Sequence, residues 1–267
     1  MNKKKLHEKI KRFRNSCILN KNRNFTVIKR SNKLEQALNL PKILNLNPRS
    51  IYNKAGEFVS FVKEEQIDLI TMSESWEREE LTLDELIRID GYSVISNVHQ
   101  RNGKGGRPAI IAKSSKFNVE NLTQTLIKIP WGVEMVWAVL TPKNVSNNSK
   151  IQKIVVGSIY SKPDSRKKSL LLDHIAEVYH LLSSKYRKGL HWVLAGDTND
   201  LKLNPILDLN IKLKQCVKSP TRLNPPRIID PIITTLGDYY QLPQCLPPLD
   251  PDPDLDGKPS DHLMVVM

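Results

Sequence analysis

From Pro41 onward, apolar residues come in short dense runs broken by polar or proline-containing segments. Lys42–Asn47 reads as a strand that Pro48 ends. Ile51, Ala55, Phe58, Val59 and Val62 repeat at helical spacing and predict a helix over Ile51–Glu65. Ile67–Met72 is a second apolar run, so the body opens as β-α-β. Gly91–Ser96 and Pro108–Ala112 read as further strands, the latter after a glycine-rich turn at Gly103–Gly106. Glu134–Leu140 and Ile154–Tyr160 read as a hairpin across the polar loop Asn144–Lys150. Leu171, Leu172, Ile175, Val178, Tyr179 and Leu182 make a helical stripe within Ser169–Tyr186. His191–Gly196 is a strand running into Asp197, residues 201–218 are mixed, and Ile228–Ile233 and Asp261–Val266 are the last two strands. Residues 243–259, rich in Pro and Asp, read as an exposed loop. Strands outnumber the helices that lie between them, which predicts an α+β or α/β sandwich in one domain.

Charge changes the picture at the N-terminus. The net charge is +13 over 267 residues. Residues 1–42 hold 13 basic and two acidic side chains, a net of +11. The rest holds 28 and 26, a net of +2. Residues 1–40 are therefore expected to be a basic, poorly ordered arm, with one short amphipathic helix near Leu6–Phe13, and residues 41–267 the folded body. Such an arm suits a polyanion, although a merely solvated leader has the same composition. No run approaches the ~18–20 apolar residues of a membrane span, and no apolar stretch follows the Lys-rich start as in a secretory signal. Cys17, Cys216 and Cys245 are odd in number and scattered, forming neither a disulfide framework nor a zinc spacing. An intracellular compartment is expected.

Polar side chains recur where strands end. Asn45 ends the first, Glu74 follows the second, Tyr160 ends another, and Asp197 and Asn199 follow His191–Gly196. Asp230 lies within the Ile228–Ile233 run and Asp261-His262 opens the last strand. A sheet can hold such groups rigidly around one cleft. Their types suit metal-assisted phosphodiester hydrolysis. Glu74 and Asn45 offer the oxygens that a hard divalent cation takes. Asn199, Tyr160 and His262 can donate to an anionic transition state. Asp197 can align or deprotonate water, and Asp230 behind His262 can fix its tautomer and charge. There is no P-loop, no Gly-x-Ser-x-Gly elbow and no His-Glu-x-x-His.

With Asn45, Glu74, Tyr160, Gly196-Asp197-Thr198-Asn199, Asp230 and Ser260-Asp261-His262 in this order, the chain resembles the endonuclease/exonuclease/phosphatase superfamily. It is most similar to the endonuclease domain of non-LTR (LINE-type) retrotransposon polyproteins. Asn47–Lys54, Asp68–Trp76, Gly105-Gly106 and Ser219–Arg222 carry the further likeness. The resemblance covers roughly residues 41–267. It implies a four-layered, deoxyribonuclease-like sandwich of two packed mixed sheets flanked by helices. It further implies Mg²⁺, or alternatively Mn²⁺, held by Asn45 and Glu74 with Asp261 as an outer or second-metal ligand. Tyr160 would contact the scissile phosphate, Asp197 act on water, Asn199 stabilise developing charge, and His262 with Asp230 grip the phosphate. Thr221 and Arg222 would touch nucleic acid. The implied activity is nicking of one strand of double-stranded DNA by a monomer, in the nucleus if the chain serves a retroelement, with a reverse transcriptase outside these residues as partner. Gly105-Gly106-Arg107-Pro108 departs from the family's triple-glycine turn, and Ser73-Glu74-Ser75 from its commoner Thr-Glu-Thr.

Blander readings accompany each residue. Asn45 could cap a turn, Asp197 and Asn199 could form an Asx-turn, and Tyr160 could be a strand aromatic. His99, His174, His180 and His191 read as surface or packing residues. Trp76, Trp131, Trp137 and Trp192 read as core, with Trp76 the candidate exception beside Glu74. Two other functions compete with the nuclease: a phosphoesterase of the same fold acting on RNA or a small phosphorylated molecule, and a non-catalytic nucleic-acid-binding remnant.

Overall fold

The structure, a computed structural model, describes residues 40–77, 81–96, 106–143, 149–163, 167–251 and 258–267. The expected helix at Leu6–Phe13, with His99 and Cys17, lies outside the described residues. Leu40, assigned above to the arm, is already buried in the core.

The chain opens with β1 (Ile43–Leu46), α1 (Ala55–Glu64) and β2 (Leu69–Met72), and the two strands run parallel. After α2 (Leu83–Ile87) come β3 (Tyr92–Ser96) and β4 (Ala109–Lys113). The second half runs β5 (Phe117–Asn121), α3 (Leu122–Thr125), β6 (Glu134–Pro142), β7 (Lys153–Tyr160), α4 (Lys168–Lys185) and β8 (Leu190–Asp197). It closes with α5 (Asn204–Leu207), β9 (Lys214–Gln215), the small hairpin β10 (Arg222–Leu223) and β11 (Pro226–Arg227), β12 (Ile232–Thr234), β13 (Gln244–Leu246) and β14 (Met264–Val266). Among the described residues there are two six-stranded sheets, ordered β13-β14-β1-β2-β4-β3 and β5-β6-β7-β8-β12-β9. Each centres on a parallel β-α-β pair, β1/β2 and β7/β8, with antiparallel neighbours.

Three apolar clusters glue four layers. Ile43, Leu69 and Ile110 of the first sheet meet Val136, Val156 and Val193 of the second, which is the core between sheets. Phe58 and Val62 of α1, with Leu83 and Ile87 of α2, cover Leu44, Ile70 and Ile111 on the first sheet's outer face. Leu171, Ile175, Val178 and Leu182 of α4 cover Trp137, Val155, Trp192 and Leu194 on the second's. Both faces of the central strands are thus buried, which is why their sequences read as unbroken apolar runs rather than alternating ones. The expected two-sheet, four-layer sandwich is the fold observed.

Local departures have physical reasons. α1 begins at Ala55 rather than Ile51 because Arg49 and Ser50 take left-handed φ of 45° and 82°. The Ser50 and Ile51 N–H groups go instead to the carbonyls of Glu74 and Ser75, at 3.0 and 3.2 Å. β12 starts only at Ile232 because Pro231 has no N–H for a ladder. The expected exposed loop at 243–259 contains β13, which pairs with β14 at the sheet edge, and Leu249 is buried. No described helix is long and apolar enough to cross a membrane.

Candidate functional site

The parallel pairs aim their carboxyl ends at one rim, and the two sheets are tied together there. Ser158 Oγ of β7 donates to the Met72 carbonyl at 3.1 Å. The Asp197 N–H donates to Ser73 Oγ at 2.7 Å. Between the sheet ends opens a cavity of about 340 Å³ lined by Arg49, Glu74, Trp76, Tyr160, Pro163, Asp197, Asn199, Asp261 and His262. Residues more than 180 positions apart thus share one pocket.

Asp197 is the last residue of β8 and is almost wholly buried. The preceding Gly196 has φ of 140°, and a Cβ there would lie 2.0 Å from the Ile159 carbonyl oxygen. Only glycine allows β8 to pass β7 this closely before delivering the carboxylate. Asp197 Oδ1 then accepts the Asn199 N–H at 2.9 Å, an Asx-type turn that puts Asn199 at φ of 47°. Asn199 Nδ2 donates to the Ser161 carbonyl at 2.9 Å, fixing the amide against the end of β7. Burial, then the neighbouring Asp230 charge, pushes the Asp197 pKa up to about 7, with the His262 cation pulling the other way.

His262 is held from behind. Its Nδ1 lies 3.0 and 3.1 Å from the two oxygens of Asp230, which is fully buried. Burial favours the neutral ring. The hydrogen bond and charge of Asp230, with the Asp197 and Asp261 charges, outweigh it and raise the pKa to about 9. His262 is therefore an imidazolium at neutral pH, and its Nε2 faces Asp197 Oδ2 at 3.9 Å. Thr221 Oγ1 accepts the N–H groups of Ile229 and Asp230, both at 3.1 Å.

Glu74 lies just past β2. Its Oε2 accepts the Trp76 indole N–H at 2.9 Å, and its Oε1 accepts Asn47 Nδ2 at 3.1 Å. The same Asn47 amide donates to Asp197 Oδ2 at 2.9 Å, joining the two carboxylates. Tyr160, in register with Asp197 across β7/β8, faces the Glu74 side chain across the cavity. Burial first, then the Glu74, Asp197 and Glu134 charges, push its hydroxyl pKa above the ordinary value, so it is a neutral donor. Arg49 and Asp261 form a half-exposed ion pair of 3.0 Å in the cavity wall. Burial opposes the ionised Asp261 carboxyl, but the His262 and Arg49 charges prevail and lower its pKa.

Seven of the ten expected residues converge: Glu74, Tyr160, Asp197, Asn199, Asp261 and His262 line the cavity, with Asp230 behind His262. Asn45 does not join them. It is fully buried inside β1, its Oδ1 accepting the Thr71 hydroxyl at 3.0 Å and its Nδ2 donating to the Pro231 carbonyl at 3.3 Å. The asparagine at the site is Asn47, beyond the end of β1 as Glu74 is beyond the end of β2. Asn45 lies where β1 is still paired on both sides, with Thr71 of β2 and Val265 of β14, short of the rim. Thr221 is also fully buried and holds the Asp230 backbone, so its hydroxyl offers nothing to nucleic acid. Arg222 pairs by backbone with His262 and is half-buried, its Nε without a partner among the described residues. Arg49 was not anticipated as part of the site. Trp131, expected in the core, is 77% exposed, whereas Trp137 and Trp192 are core.

Asp197, Asp230 and His262 bring ligand atoms within 4.8 Å of one another, a grouping that could hold a metal. Both Asp230 oxygens are engaged by His262, however, and an imidazolium has no lone pair to give. The donor set that suits a hard cation is the Glu74 side of the cavity. There a carboxylate keeps unfilled lone pairs beside Asn47 and Asp197.

No protein-family model matches the chain, and no curated protein sequence matches it. Solved structures do. One is described as the endonuclease domain of TRAS1, a telomere-specific non-LTR retrotransposon, with 15% identity over 85% of this chain and 97% of that one, TM-score 0.60. A 3′-5′ exonuclease from Neisseria meningitidis has 14% identity over 84% of this chain and 98% of that one, TM-score 0.56. An AP endonuclease from Leishmania major has 13% identity over 85% of this chain and 86% of that one, TM-score 0.60. The chain therefore has the fold of the endonuclease/exonuclease/phosphatase proteins.

Proposed function

We propose that this protein is a divalent-metal-dependent phosphodiester hydrolase that nicks one strand of double-stranded DNA and leaves a 3′-hydroxyl. One observation carries the reading: a buried Asp230–His262 pair, the Asp197–Asn199 turn and the Asn47-bridged Glu74 meet at a single open cavity. The similarity to DNA-processing enzymes of this fold, one of them described as bound to a product DNA hairpin, supports DNA over a small substrate. The presence of every required group argues against a non-catalytic remnant.

The metal, Mg²⁺ or Mn²⁺, would sit at Glu74 with Asn47 beside it and supply Lewis-acid neutralisation of charge on a phosphate oxygen. Asn47 and Trp76 orient the Glu74 carboxylate by donating to its two oxygens. The His262 imidazolium, kept charged by Asp230, binds and neutralises the scissile phosphate through Nε2. Asp197, with its raised pKa, aligns water and accepts its proton at Oδ2. One N–H of the Asn199 amide is spent on Ser161, and the other donates to the developing negative charge. Tyr160, held protonated, donates to a phosphate oxygen. Action on the nuclear DNA of a host, for a retroelement whose reverse transcriptase lies elsewhere, is the biological setting we propose with it.

Purified protein with supercoiled plasmid and Mg²⁺ tests the reading. Relaxed circles with 3′-hydroxyl ends are expected, abolished by chelator and by Asp197→Ala or His262→Ala. Unchanged nicking in those variants removes the assignment. Release of inorganic phosphate from a small ester without DNA cleavage would favour the small-substrate phosphoesterase.

A further inference from the structure

The turn Pro130-Trp131-Gly132-Val133 just before β6 presents an aromatic side chain to solvent. Single exposed apolar residues are ordinary, but three observations set Trp131 apart. First, the turn is held rather than loose: the Val133 N–H donates to the Pro130 carbonyl at 3.0 Å, and Gly132 takes φ of 82°. Its flanks, Ile129 and Val133, are buried. Second, Lys167 Nζ donates to the Trp131 carbonyl at 2.9 Å. This ties the turn to the segment between β7 and α4, whose Pro163 lines the cavity. Third, the register places it: Glu134, three residues after Trp131, pairs directly with Tyr160, and Tyr160 pairs with Asp197. Trp131 therefore stands at the same rim as the site, one strand beyond the tyrosine. Exposed Lys128, three residues before Trp131, and exposed Lys162, beside Pro163, lie on the two joined segments.

We infer that Trp131 is a DNA-contacting residue that stacks on a base displaced from the duplex stack beside the scissile phosphate, its turn acting as a fixed platform. The inference rests on the proposed function and deepens it. The cavity residues recognise a phosphodiester and are blind to whether bases are attached. A rigid indole at the rim recognises a base face and tolerates sequence, because every base has one. The two lysines supply the sequence-independent attraction to the backbone.

The test compares the full-length protein with Trp131→Ala and Trp131→Phe. Readouts are binding of a duplex oligonucleotide carrying an unpaired base with metal chelated, over a range of salt, and turnover of bis(p-nitrophenyl) phosphate with Mg²⁺. Trp131→Ala is expected to weaken DNA binding about ten-fold, the size of one lost base stack. Its salt slope should be unchanged, because no phosphate contact is removed. Trp131→Phe should recover most of the affinity. Both variants should hydrolyse the base-free ester at the wild-type rate, a readout that general damage to the fold would not spare. If the wild type binds and nicks DNA and Trp131→Ala does so equally well, the inference fails while the proposed function stands. If the wild type neither binds nor cuts DNA, both fail.

Discussion

Two asparagines in the same strand region have opposite duties, and substitution separates them. Asn45→Ala leaves the Thr71 hydroxyl and the Pro231 carbonyl facing a void. It is expected to cost about 1–3 kcal/mol of stability, as unmade buried hydrogen bonds do, with activity per folded molecule retained. Asn47→Ala releases both Glu74 and Asp197 and is expected to lower the nicking rate about 100-fold or more while the fold persists. Denaturant melts alongside single-turnover nicking measure both, and equal behaviour of the two variants would contradict the geometry. At the same scale, the His262 ring is expected to titrate near pH 9 by NMR in metal-free protein. Because its folded pKa lies above the unfolded value of about 6.5, His262 adds stability that is present below that value and lost as the pH rises through about 9. Asp230→Asn should move the titration down and slow nicking.

At the scale of elements, the β7/β8 parallel pair is the part of the scaffold least open to change. Tyr160 and Asp197 are register partners on adjacent strands, and Gly196 lets those strands pass without a side chain between them. Gly196→Ala would place a methyl against the Ile159 backbone at a φ that L-residues avoid. A loss of about 2 kcal/mol or more is expected, with activity falling because Asp197 shifts. Thermal melts and nicking assays on this variant check it. Arg107 shows the contrary choice. It adopts φ of 66° in the turn where the resembled family places glycine. There its carbonyl accepts the Ser75 hydroxyl at 2.8 Å and its N–H donates to Glu134 at 3.1 Å. Those bonds on the backbone hold it in a conformation that otherwise disfavours a side chain.

Across the whole molecule, acid stability and the proposed polyanion binding are expected to be set in different places. His174 of α4 is buried against the second sheet, where its Nε2 accepts the Trp137 indole N–H at 3.1 Å. Burial lowers its pKa to about 4. A histidine with a depressed folded pKa contributes stability above about pH 6.5 that is lost as the pH falls toward 4. Chemical denaturation between pH 7 and 4 should show this loss, and His174→Gln, which keeps an acceptor, should flatten it. Binding to DNA, by contrast, is expected to draw on the N-terminal segment. Removing residues 1–39 should leave the melting temperature and hydrolysis of a small ester unchanged while reducing DNA affinity and the steepness of its salt dependence.

Local pattern was enough for the sandwich, because strands buried on both faces must be written as apolar runs and α4 as a helical stripe. It was enough as well to name most of the residues that line the cavity, since a carboxylate or imidazole set directly after such a run has few places to go but the rim. What local pattern could not decide was which of two alternating asparagines clears the end of β1, since that depends on where pairing with β2 and β14 stops. Nor could it tell that Thr221 is sealed beneath Asp230, that Arg49 reaches Asp261 from the far end of the chain, or that Trp131 is left outside. Each of those outcomes is a matter of which distant segment arrives alongside, and only the packing of one sheet on the other brings those segments together.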